Sequence, residues 1–393
     1  MSAPLSTLKV LDFSTLLPGP FGTLLLADMG AEILRVESAD RVDLIRDMLP
    51  MSGNVSASHA YLNRNKRSIA LDLKKIESQN LVRQLITDYD IVVEQFRPGV
   101  MDRLNLGYEA LKEINPGLIY VSITGYGQTG PYRNRAGHDL NYLALSGLSS
   151  YSGRKNTGPA PIGAQIADLA GGSLHAVTAL LAAVIHRHHT GEGQHIDISM
   201  ADCIFTLNGV IGAGFLADRN VPDFESNILN GGSFYDYYLT SDGRWLAVAS
   251  MEPKFLRVLC DTLGRPELLT LANSATVADQ HAFKATLRAL FSARSQHHWQ
   301  ELFAEVDACV EPVLNLAEAT EHPHFKARGM IQAVPGEGEE THQQFACPIK
   351  FSASETLLKH TGKSVGADSL EVLQQLGYEA DQIAALYAAG AVS

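Results

Sequence analysis

The sequence predicts an α/β fold built on a largely parallel sheet, with a smaller α+β domain following it in the chain. Two observations predict this. Through the first 125 residues, short runs rich in branched apolar residues alternate with longer amphipathic stretches, the pattern of βαβ units. Around residues 218–232 the composition then shifts to Asp, Asn, Pro and Gly, and a different pattern begins.

Taken in order, residues 8–13, 32–36, 68–73, 91–96 and 118–124 read as strands. Residues 21–29, 76–89 and 108–114 read as the intervening helices, with Gly30 placed to end the first. Residues 169–189 carry the strongest helical signal, because Leu174, Val177, Leu180, Leu181, Val184 and Ile185 recur at helical spacing. Asp168 stands at its N-cap position and Gly191 just past its end. Residues 194–200 return to an extended pattern and lead into a helical stretch, 201–217. Residues 233–311 hold a hairpin (234–239, a Thr-Ser-Asp-Gly turn, 245–250) and then several helices, and the tail 370–389 is largely helical. The expected division is 1–217 with 331–393 as the large domain, and 218–330 as the small one. No internal repeat or low-complexity tract is visible.

With 393 residues, 46% hydrophobic and 19% charged, the chain has the composition of a globular enzyme. Its formal net charge of −12 suits neither nucleic acid nor an anionic membrane surface, so neither is an expected partner. No segment reads as an uninterrupted membrane span, and the N-terminus lacks a basic stretch followed by an apolar one, which makes the cytoplasm the expected location. Cys203, Cys260, Cys309 and Cys347 are too scattered for a disulfide framework or a zinc site and read as small buried hydrophobes.

A dinucleotide loop would need Gly-x-Gly-x-x-Gly after the first strand. The chain has Leu-Leu-Pro-Gly-Pro-Phe-Gly there, and its prolines remove the backbone donors such a loop uses. A P-loop is also missing. Cations do gather near strand ends: Arg35, the run Asn63-Arg64-Asn65-Lys66-Arg67, and Arg97. In an acidic chain this grouping suggests a polyphosphate ligand, against the blander reading of solvated surface charge. His138 and Asp168, thirty residues apart and each beside a glycine-bearing turn, could carry chemistry; singly they would be a structural histidine and a helix cap. His186, His188 and His189 complement a helix C-terminus, and their spacing does not suit a metal. No metal site is expected.

The segment Gly-His-Asp-Leu-Asn-Tyr-Leu-Ala-Leu-Ser-Gly (137–147) resembles the signature of α-methylacyl-CoA racemases, members of the family III CoA-transferase (CaiB/BaiF-type) superfamily. The resemblance continues at Tyr-Gly-Gln-Thr-Gly-Pro (126–131), Gly-Gly-Ser-Phe-Tyr-Asp-Tyr-Tyr (231–238), Ala-Ser-Met-Glu-Pro-Lys-Phe (249–255) and Asp-Ala-Cys-Val-Glu-Pro-Val-Leu (307–314). It implies a Rossmann-like large domain, a small domain and an interlocked homodimer. It also implies an acyl-CoA thioester substrate, with coenzyme A arriving as part of that substrate and no prosthetic group. By the same resemblance His138 and Asp168 are the proton-transferring pair, and Glu252 supports the histidine. Arg35, Lys66 and Arg97 fall where the family contacts the CoA nucleotide.

Such a pair suits removal and return of the proton α to a thioester, one group acting as base while the other holds a proton. Gly171 and Gly172, beside the backbone N–H groups of residues 168–171, are expected to let the ligand approach those donors closely. A true CoA-transferase would instead use Asp168 as a nucleophile. The stretch 61–74 looks more like that branch, and residues 48–62 read as an insertion relative to compact racemases. A non-catalytic CoA-binding protein is the third reading; it would have no need of His138, Asp168 and Glu252 together.

Overall fold

The computed structural model describes residues 2–393. Six strands form the large sheet: β1 Lys9–Asp12, β2 Glu32–Glu37, β3 Lys66–Ala70, β4 Ile91–Glu94, β5 Ile119–Thr124 and β6 Gln194–Ser199. Every pairing among them is parallel, in the spatial order β6-β5-β4-β1-β2-β3. Strands buried on both faces need apolar side chains on both, and β5 is buried along its whole length. Leu11, Leu34, Ile69, Val92 and Tyr120 join helix residues Leu81, Val82 and Leu85 in one core cluster. The order reverses direction at β1, which lies between β2 and β4. In an open sheet of this kind the crevice for a ligand lies there, beyond the carboxyl ends of the strands.

The first helix, α1 Pro18–Asp28, begins three residues earlier than the sequence pattern indicates. Proline is tolerated in a first helical turn because the N–H groups there have no intrahelical partner, so Pro18 and Pro20 lie in the first turn of the helix. The helix expected over 169–189 begins at Ala167 as a π-helical segment, Ala167–Leu174, and continues as α2, His175–Thr190. Asp168 therefore lies inside the first turn and is not its cap. The combined run, Ala167–Thr190, is long and apolar enough by length and composition to match a membrane span, which the sequence reading did not anticipate. Its π-helical part packs against α1 and against α3, Met200–Leu207.

The chain divides into two compact units. The first holds the chain up to Ser146, Ile162–Leu207 and Pro323–Ser393; the second holds Gly147–Pro161 and Asn208–His322. These bounds differ from the expected 1–217/331–393 and 218–330. The polar stretch near 218–232 is a loop within the second unit rather than its edge. Residues 147–161 join that unit through Arg154, which pairs with Glu225 and Asp236. The second unit has a three-stranded antiparallel sheet (Asp236–Leu239, Trp245–Val248, Val310–Pro312) over a core that includes Tyr238, Leu246, Phe283, Phe291 and Trp299. In the first unit the tail forms two helices, Ser369–Gln375 and Ala380–Ala388, separated at Gly377, whose φ of 85° ends the first.

Candidate active site

A cleft of about 260 Å³ opens at the reversal point of the large sheet. Leu16 and Pro18 after β1, Gln95 and Arg97 after β4, and Thr124 to Tyr126 after β5 form its floor and one wall. His138, Tyr142, Asp168 and Met200 complete it, so the two residues singled out for proton transfer share one cavity.

Each is held by local structure. His138 is exposed, in extended backbone (φ −131°) immediately before the short helix Asp139–Leu145, and its N–H donates to Asn141 Oδ1 at 3.0 Å. Asp168 is half-buried in the first turn of the π-helical segment. Asp139 Oδ1 accepts the N–H groups of Ala167 at 2.5 Å and Asp168 at 3.2 Å, tying the two segments together. Burial, assisted by the Asp139 charge and opposed by His138, pushes the Asp168 carboxyl up to about 6. A carboxyl poised there can give or take a proton near neutral pH.

The remaining predicted residues are placed as follows. Arg97 is exposed and lines the cleft. Arg35 does not reach it: it is 1% exposed and held by Asp43 and Glu37. Lys66 is likewise interior, donating to Asn63 Oδ1 at 3.1 Å, Thr23 Oγ1 at 2.8 Å and the Pro20 carbonyl at 2.9 Å. Burial lowers its pKa to about 8, and Asp12 at 3.4 Å offsets part of that effect. Within this structure, both cations are spent on internal carboxylates and carbonyls. Arg64, from the same basic run, pairs with buried Asp28.

Gly171 and Gly172 are buried and serve close packing rather than ligand approach. A Cβ on Gly171 would lie 3.2 Å from Ile204, and one on Gly172 would lie 2.9 Å from Pro18 and 3.2 Å from Met200. The expected backbone donors are also engaged in part: the Asp168 N–H bonds Asp139, and the Leu169 N–H bonds the Gln165 carbonyl at 2.9 Å. Glu252 belongs to the second unit, exposed just before the helix Pro253–Thr262, where its carbonyl accepts the Leu256 N–H at 3.0 Å.

Sequence reasoning passed over Gln95, Tyr126, Arg133, Arg135 and Tyr142, all of which line the cleft. Tyr126 and Tyr142 lie inside the quoted motifs, so their position was available as a signal. Arg133 and Arg135 lie a few residues before Gly-His-Asp and carried no pattern of their own.

A family model described as CoA-transferase family III matches residues 5–369. The chain belongs to that family. An α-methylacyl-CoA racemase from Mus musculus is 34% identical over 96% of this chain and 95% of its own length. An acetyl-CoA:oxalate CoA-transferase from Acetobacter aceti is 33% identical over 84% of this chain and 85% of its own. Among solved structures, a CaiB/BaiF family protein from Brucella suis aligns with a TM-score of 0.84 at 32% identity, covering 96% of this chain and all (100%) of that one. This family III member thus resembles racemases and transferases to nearly the same degree, and residue roles must separate the two.

Proposed function

We propose that the protein is an acyl-CoA racemase or epimerase that interconverts (R)- and (S)-2-methylacyl-CoA by 1,1-proton transfer. The observation that carries this reading is the poise of Asp168 near neutrality in the cleft that also holds His138. One of the two takes the α-proton, leaving an enolate of the thioester. The other, already protonated, returns a proton to the opposite face of the same carbon. In the reverse direction their roles exchange. Arg97 is the cleft cation assigned to the CoA nucleotide, and Glu252 is the group assigned to orient the His138 ring. Coenzyme A arrives within the substrate, and the reaction needs no prosthetic group.

The same reading includes a homodimer. Large apolar side chains stand exposed at Leu174 (47%), Ile185 (61%) and Phe205 (66%) in the first unit and at Val210 (85%) and Leu216 (66%) in the second, surfaces that a second copy of the chain would cover.

The second reading, CoA transfer, draws on the similarity to named transferases. Here Asp168 attacks the thioester carbonyl and releases CoA thiolate, giving a mixed anhydride; the thiolate then attacks the aspartyl carbonyl to form an aspartyl-CoA thioester and free the first acid. Incubation with a 2-methylacyl-CoA in deuterium oxide separates the two. Exchange of the α-proton without any added acid supports racemisation. Strict dependence on a carboxylate acceptor, with hydroxylamine trapping at Asp168, establishes transfer instead.

A further inference from the structure

Glu94 ends β4, directly before the cleft residues Gln95 to Arg97, and no step above uses it. Its side chain is almost wholly buried, and the carboxylate accepts both the Phe96 N–H at 2.7 Å and the Ser122 hydroxyl. The first bond comes from two residues along and sets the turn from which Gln95 and Arg97 line the cleft. Gln95 Oε1 accepts the Gly19 N–H at 3.0 Å, in the first turn of α1. This wall therefore hangs on two hydrogen bonds, one of them to a group that titrates.

The second bond to Glu94 leads on across the sheet. Ser122 lies beside Glu94 in the register of β4 with β5 and is 1% exposed. Its Oγ stands 3.0 Å from Nε2 of His195 on β6. His195 is exposed, with its ring stacked on Tyr108 at 5.6 Å and edge-on to Tyr120 at 5.4 Å. A buried carboxyl is thus joined through one hydroxyl to an imidazole that meets solvent.

Because Ser122 Oγ carries a single proton, this chain has two arrangements. With Glu94 ionised, Ser122 donates to it and accepts from His195 Nε2–H. With Glu94 protonated, the carboxyl donates to Oγ, Oγ donates to Nε2, and the imidazole proton is on Nδ1. Passing from the first to the second adds one proton from water at Nδ1, moves the Nε2 proton to Oγ and moves the Oγ proton to Glu94. The charges facing the chain are Asp102 and Asp197, with Glu109 beside His195, and the neighbouring phenols are Tyr108 and Tyr120. Burial, opposed by the Ser122 and Phe96 hydrogen bonds, brings the Glu94 carboxyl up to about 7. Burial also lowers the His195 pKa, against the three carboxylates, which favours the neutral ring that the exchange of arrangements uses.

We propose that Glu94 is a positioning residue for the cleft, holding the Gln95–Arg97 wall firmly when ionised and loosely when protonated, with Ser122 and His195 as the path by which its proton comes and goes. A carboxylate accepts an N–H about twice as strongly as a neutral acceptor, so ionisation tightens the Phe96 hook. The proposal deepens the reading that an acyl-CoA occupies the cleft, and its effect on binding rests on that reading.

Two measurements on the full chain, wild type and Glu94→Gln, run from about pH 5.5 to pH 8.5. Amide hydrogen exchange of the ligand-free protein reports the Phe96 hook, and calorimetry with free coenzyme A reports the wall. Taking each relative to Glu94→Gln removes the intrinsic pH dependence of exchange and the titration of the CoA phosphates. As pH rises through 7, wild-type Phe96 protection and CoA affinity should each gain about fivefold over the variant. A difference that is constant with pH, or that runs the other way, overturns the positioning role. Protection that follows pH in a chain that binds no coenzyme A would defeat the acyl-CoA reading and leave the hook established. The path has its own readout, the infrared C=O band of the protonated carboxyl, which Glu94→Gln removes. After a laser pH jump, Ser122→Ala and His195→Phe should each slow the rise of that band about tenfold or more. Rates equal to the wild type would overturn the path.

Discussion

The carboxylate of Asp139 accepts the backbone N–H of Asp168 at 3.2 Å and that of Ala167 at 2.5 Å, so the residue after His138 caps the helical turn that carries its partner. The same charge helps to hold the Asp168 pKa up near 6. Position and protonation can be separated by substitution. Asp139→Asn keeps an acceptor oxygen and removes the charge, so Asp168 should keep its place while its pKa falls toward the ordinary carboxylate range. In the direction that requires protonated Asp168, the pH profile of α-proton exchange should then shift to lower pH. Asp139→Ala removes both functions, with an expected loss of about 1 kcal/mol of stability and a further fall in rate. A profile for Asp139→Asn that overlays the wild type would refute the coupling.

His138→Ala and Asp168→Ala should each abolish racemisation while leaving CoA affinity within about twofold, because an enolate formed by one group still needs the other to reprotonate the far face. Glu252→Gln should lower the rate more mildly, since Gln can accept a hydrogen bond from imidazole but cannot support its charged form. Full activity in either alanine variant, measured in deuterium oxide, would rule out a two-group mechanism.

The strand pattern was legible because parallel strands buried on both faces are mostly apolar, and β4 and β5 follow that rule except at Glu94, Ser122 and Thr124. His138 stands in a contiguous motif, 137–147, while Asp168 lies thirty residues on, and it is the fold that brings both to one cleft. What the string could not reveal is which charges are spent internally. Arg35 and Arg97 were both read as strand-end cations, yet Arg35 lies within β2 and is sealed against Asp43, while Arg97 follows β4 and lines the cleft. The difference lies in Asp43, eight residues beyond Arg35, whose carboxylate also accepts the Leu16 N–H at 3.1 Å and closes that side. Gly171 and Gly172 misled for a related reason: a glycine pair that lets a ligand approach and one that lets a helix approach are written identically.

Arg64 and Asp28 form an ion pair that is almost wholly buried, with side-chain exposures of 1% and 0%. Removing one partner leaves an unpaired charge inside, so Arg64→Met should cost about 3–5 kcal/mol in urea unfolding at pH 7. Desolvation raises the Asp28 pKa and Arg64 opposes that rise, so without Arg64 the carboxyl should take up a proton more readily. The penalty should shrink as the pH is lowered, and Arg64→Met/Asp28→Asn should recover part of the loss. A single-variant cost below about 1 kcal/mol would place the pair in contact with solvent.

Glu94, at the end of β4 beside the cleft residue Gln95, is 5% exposed, and its carboxylate accepts the Phe96 N–H at 2.7 Å. Burial pushes its pKa from 4.5 up to about 7. Between those values the folded state holds a proton that the unfolded state has lost, so stability contributed by this group is complete below about pH 4.5 and is lost as pH rises through 7. The expected loss is about 3 kcal/mol. Buried His59, whose pKa is lowered to about 3, acts in the opposite direction: its contribution is lost as pH falls from 6.5. A profile of the wild type alone therefore mixes the two, and only a difference isolates Glu94. Glu94→Gln retains an acceptor for the Phe96 N–H and removes the titration. Its unfolding free energy should lie near that of the wild type at pH 5 and exceed it by about 2 kcal/mol at pH 8. A difference that does not grow with pH would mean that the carboxyl is ionised in the folded chain at low pH, and that water reaches the end of β4.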